Sequence, residues 1–94
     1  MTISYGQVTA QLTVTLIIPA ASTAGFSSAA SRREVTISNQ GGHPVFLGDA
    51  SVAANTGFNL ISGSTVPIVM FGTDALYGIA TGGTSLVSYI ESGA

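Results

Sequence analysis

Charge is what this chain has least of. Its ionic side chains are Arg32, Arg33, Glu34, Asp49, Asp74 and Glu91, 6% of the sequence, and it contains no Lys. Soluble domains commonly carry about 25% charged residues and rely on them to stay dispersed. A surface whose polar atoms come mainly from Ser, Thr, Asn and Gly points to a building block covered in an assembly rather than a free monomeric enzyme. The net charge of -2 and the pI of about 4.7 supply no basic field for condensed phosphates, so direct nucleic-acid binding is not expected.

Cysteine is absent, which excludes a disulfide framework and a thiolate metal site. Stability must come from packing in a single domain. A chain of 94 residues buries about 60–65% of its unfolded surface. Long hydrophobic runs are also missing. The longest aliphatic stretch, Leu16 to Ala21, contains Pro19 and falls far short of the roughly 20 residues that span a bilayer. No membrane partner is expected. Met1 to Gln7 lacks the basic start of a signal peptide, so no secretory route is expected either.

Catalytic groups are scarce. His43 is the single histidine, in a Gly-Gly-His-Pro turn, and only Asp49 or Asp74 is placed to orient it. Asp49, Asp74 and Glu91 are each flanked by turn or terminal residues and read as solvated carboxylates. The acids are too isolated to form a metal site, and Gly41-Gly42 and Gly82-Gly83 do not precede helices that could bind phosphate. No enzymatic activity, cofactor or metal is expected.

What the chain does have is alternation. Val8, Ala10, Leu12, Val14, Leu16 and Ile18 share one parity, and Gln7, Thr9, Gln11, Thr13 and Thr15 the other, which predicts one half-buried strand from Gln7 to Ile18 ending at Pro19. Ala20 to Ser31 is small and polar with Phe26 as its one large apolar group, a loop or arm anchored by that ring, with a flexible linker as the alternative. Glu34 to Asn39 and Pro44 to Gly48 flank a Gly-rich turn and predict a hairpin. Further short strands follow at Phe58 to Leu60, Val66 to Phe71, Leu76 to Ala80 and Leu86 to Glu91, with Pro67 marking its strand as an edge or a bulge. Turns every ~8–12 residues without helical periodicity predict an all-β fold, a single small antiparallel sandwich or barrel of about seven short strands. That domain spans residues 1–94, with a flexible N-terminus and a long loop at 20–33. Arg32-Arg33-Glu34 holds half of all the charge, either as a surface ion pair or as a guanidinium paired at a subunit interface, and the scarcity of other charges favours the interface.

From Arg33 onward the succession R-x-V-T-I-x-N, a Gly-containing turn, P-V-x-L-G, N-x-G-F-x-L, a Gly turn and D-A-L-Y-x-I-A covers about two thirds of the chain. It falls on Arg33 to Asn39, Pro44 to Gly48, Asn55 to Leu60 and Asp74 to Ala80. It resembles small β-domains that recur in tailed-phage virion structural proteins. The resemblance implies a virion structural protein, and a short single domain without coiled coil or repeat favours a head decoration or cement protein. Such proteins, as the resemblance implies, are often trimeric, sit on the outer capsid surface and bridge copies of the major capsid protein. A tail, baseplate or fibre component with a receptor- or carbohydrate-binding role is the alternative. Candidate interface residues are Tyr5, Phe26, Arg32, Arg33, Glu34, His43 and Asp49. Trimming Met1 to Tyr5, or replacing Arg33 with Ala, is expected to weaken capsid binding while leaving the sandwich folded.

Overall fold

The computed structural model describes residues 2–20 and 32–93. Eight strands form two four-stranded antiparallel sheets and no helix occurs among the described residues. They are β1 (Thr2–Ala10), β2 (Thr15–Ile18), β3 (Arg32–Asn39), β4 (Val45–Gly48), β5 (Phe58–Leu60), β6 (Thr65–Phe71), β7 (Leu76–Ala80) and β8 (Ser85–Gly93). The first sheet runs β1-β8-β3-β6 and the second β2-β7-β4-β5. This is the strand order of an eight-stranded jelly roll, so the expected all-β sandwich is present.

The sandwich closes because each inner face is apolar. Ala10, Val35, Ile37, Met70 and Val87 from the first sheet meet Ile17, Ile18, Val45, Leu47, Leu60 and Ala80 from the second in one buried cluster. Alternation is cleanest in β3, where Arg33, Val35, Ile37 and Asn39 point inward and Arg32, Glu34 and Thr36 outward. Pro67 lies in β6, an edge strand, as a residue with no N–H to give to a ladder should.

Three expectations are corrected. The strand foreseen from Gln7 to Ile18 is two strands in different sheets. Thr15 Oγ1 donates to Thr13 O at 3.0 Å and accepts from Gln11 N at 3.1 Å, a local arrangement that competes with a ladder and turns the chain. Gln11 O then accepts from Ala80 N at 2.8 Å, which ties the corner to β7. The register shifts between Leu16 and Ile18, so consecutive residues Ile17 and Ile18 are both buried while Leu12, Val14 and Leu16 face solvent.

The second correction concerns the hairpin foreseen around Gln40–His43. β3 pairs with β6 and β8, whereas β4 pairs with β5 and β7, so this turn carries the chain from one sheet to the other. Asn39 builds the crossing. Its Nδ2 donates to His43 O and to Leu60 O, each at 2.8 Å, and its Oδ1 accepts from Gly41 N at 3.1 Å and Ser85 Oγ at 2.6 Å. Both donors and both acceptor sites of the buried amide are used. Gly41 is required because a Cβ there would lie 2.6 Å from Leu86 N.

The third correction is the N-terminus, expected to be flexible. Thr2 to Ala10 pairs residue by residue with β8, from Thr2 opposite Gly93 to Ala10 opposite Ser85. Gly6 in the middle leaves room for the Tyr89 ring, whose Cζ would stand 2.8 Å from a Cβ at that position. Of the long loop at 20–33, Arg32 and Arg33 belong to β3, and residues 21–31 lie outside the described residues.

Candidate assembly surface

The outward side chains of the first sheet form an apolar exposed face. Successive partners across the ladders set Tyr5, Ile90, Thr36 and Pro67 in one row and Ile3, Ser92, Glu34 and Val69 in the next. Ile3, Tyr5, Val69, Phe71, Leu86 and Ile90, all exposed, belong to this face. An open groove of about 590 Å³ crosses it, lined by Ile3, Ile90, Val69 and Pro67 and by Glu34, Thr36 and Ser92. Its charge is confined to one exposed ion pair, Arg32 Nη1 to Glu34 Oε1 at 3.4 Å. Isolated exposed apolar residues are ordinary; a contiguous set on one sheet face is a candidate contact surface.

Of the sequence-predicted interface residues, Tyr5, Arg32 and Glu34 stand on this face, and Tyr5 is 80% exposed. Phe26 lies outside the described residues. His43 is half-buried against the β7–β8 turn, with Nδ1 3.2 Å from Thr84 O and its ring over Gly83. Asp49 is exposed at the opposite end of β4 from His43. Its carboxylate accepts from Ser51 Oγ at 2.7 Å and Ser51 N at 3.0 Å, and these bonds hold its pKa below the usual aspartate value. The turn residues therefore do not converge with Tyr5 on one patch.

Arg33 is a correction. It is 0% exposed, so in this chain it offers nothing to a neighbour. Its Nη1 meets Glu91 Oε2 at 2.9 Å and Pro19 O at 3.3 Å, its Nη2 donates to Asp74 O at 2.7 Å and Phe71 O at 3.0 Å, and its Nε donates to Phe71 O at 3.2 Å. All five guanidinium N–H groups are engaged. The cluster joins β3 and β8 to the end of β6, the β6–β7 turn and the exit of β2. Glu91, read as solvated, is buried as its partner. The remaining carboxylate, Asp74, accepts Phe71 N at 2.8 Å and closes the β6–β7 turn.

Tyr89 lies on the inner face near this pair. Burial raises its hydroxyl pKa, the Glu91 charge adds to the rise, and Arg33 partly opposes it. Sequence reasoning missed Asn39 and Glu91 as buried polar groups, yet a signal was present. Asn39 shares the parity of Val35 and Ile37, and Glu91 that of Val87 and Tyr89.

No protein-family model matches the chain, and no curated protein matches it. Among solved structures, it is similar to a chain of the Bacillus endospore appendages, described as a novel family of disulfide-linked pili. The TM-score is 0.54 at 17% identity, over 98% of this chain and 88% of that one. The likeness is one of fold.

Proposed function

We propose that this protein is a phage virion structural protein, a capsid decoration protein that seats the outer face of its first sheet on the major capsid protein. The observation that carries the reading is that face: apolar residues contributed by β1, β6 and β8, with its charge limited to one exposed ion pair. Burying such a surface removes apolar area from water without stripping hydration from unpaired ions, the step that costs most in forming an interface. The phage setting rests on the sequence resemblance running from Arg33 to the last strand. The pilus chain that shares the fold is itself an assembly subunit, which accords with a structural role but says nothing of a capsid.

A decoration protein that binds the assembled shell and not free subunits stabilises the shell by mass action, repeated at every copy. Heating particles with and without the protein while a DNA-binding dye follows genome release tests this. Particles lacking it should form normally and release DNA at lower temperature. An unchanged release temperature, with labelled protein found on tails alone, would replace this reading with the tail or fibre alternative.

A further inference from the structure

The two sheets have four edges, and three of them are blunted. β2 has four residues, a register shift and Pro19 directly after it, and β5 has three residues. β6 carries Pro67, which has no N–H, and its last amide, Phe71 N, is taken by the Asp74 carboxylate at 2.8 Å. β1 differs from all three. It runs nine residues in unbroken register with β8 and contains no Pro, no charge and no bulge. Among the described residues, its far side receives no backbone hydrogen bond from a loop or turn, and Gln11 Nε2 to Thr9 O at 3.3 Å is the one side-chain contact that returns to its backbone.

A long, uncharged edge strand in unbroken register, with half its amides and carbonyls unpaired, is a template for another strand, and proteins that do not use such an edge normally protect it with Lys, Pro or a bulge. We infer that β1 pairs antiparallel with β1 of a second copy, joining two first sheets into one continuous sheet about a two-fold axis. The strand suits its own reverse. With the axis at Gly6, Tyr5 faces the partner's Gln7 and Ile3 faces the partner's Thr9, so both copies keep their inner faces inward. No like charges meet, because the strand has none. Tyr5 is already the ladder partner of Ile90, so the join also makes the apolar outer faces of the two copies continuous. A two-fold contact of this kind is closed and isologous, and gives a dimer where the family resemblance implies a trimer.

The inference is separable from the capsid reading, since a protein that dimerises but stays off particles fails one and not the other. Sedimentation equilibrium of the full chain tests it, against a Tyr5→Lys/Gln7→Lys variant that sets like charges across the axis and a Val69→Lys control on β6. The wild type and the control should be dimers, and the double variant should dissociate at least about a hundredfold more readily. Hydrogen exchange on the wild type provides a second reading that needs no variant to fold: β1 amides should slow as concentration rises, while β6 amides should not. A monomer at high micromolar concentration, a trimer, or a dimer whose β1 amides exchange independently of concentration would overturn it.

Discussion

Arg33, Glu91 and Asn39 are the residues on which the interior turns. They are polar groups placed at inward positions of otherwise apolar strands, and each is paired within the domain. A buried ion pair gains little over a hydrophobic pair of equal volume, but removing one partner leaves an uncompensated charge. Arg33→Ala should therefore lower unfolding free energy by about 3–5 kcal/mol, reversing the sequence-based expectation that the sandwich would tolerate it. Arg33→Met combined with Glu91→Leu should recover only the part of that loss due to the stranded carboxylate, because the Pro19, Phe71 and Asp74 carbonyls still lack their donor, and denaturant melts of Arg33→Ala, Arg33→Met and the double variant check it. Tyr89 adds a pH signature. Its proton is held more tightly folded than unfolded, so its contribution is intact below the unfolded tyrosine pKa of about 10 and is lost as pH rises through the folded value. Spectrophotometric titration should show a late tyrosine ionisation, and Tyr89→Phe should abolish that step and soften the alkaline fall in stability. These roles were legible in part: the R-x-V-T-I-x-N parity already puts Arg33 and Asn39 on the core side. Their partners could not be read, because Glu91 is 58 residues from Arg33 and Ser85 is 46 from Asn39.

Strands as elements were easier to read than their connections. The strands from Val45 to Glu91 fall where β-rich composition and turn residues put them, although β4 buries Val45, Phe46 and Leu47 in succession, and Pro67 correctly marks an edge. The failures lie where one parity runs through a corner. Val8 to Leu16 keeps strict alternation in sequence, yet the Thr15 hydroxyl bonds break the backbone and the β2 bulge shifts the pattern by one residue. The Gly-Gly turn after Asn39 looked like a hairpin because a short Gly-rich loop cannot reveal whether the chain stays in its sheet. A buried amide with partners from β5 and β8 decides that, and both lie far along the chain. At this scale β1 is a structural strand and not an appendage. Deleting Met1 to Tyr5 removes the partners of Ile90, Glu91, Ser92 and Gly93, and should cost on the order of 2 kcal/mol in ladder bonds and packing. A truncated chain that melts at the wild-type temperature in calorimetry would show that β1 adds nothing to the fold.

The described residues form a low-charge sandwich whose first sheet has an apolar outer face. Scarcity of charge was plain in the sequence, and it pointed to assembly without saying where. The location of the surface needed the sheet order, since Ile3, Val69 and Ile90 come together only when β1, β6 and β8 share a sheet. The claim that this face seats the protein on the shell is tested most directly by occupancy. Labelled Ile90→Lys protein, confirmed folded by its melting curve, would be mixed with particles stripped of the wild type, and the bound copies counted after sedimentation. A charge at the centre of the face should reduce occupancy at least tenfold relative to wild type, as expected for a cost of about 1.4 kcal/mol or more. Occupancy equal to wild type would contradict the assignment of this face to the shell.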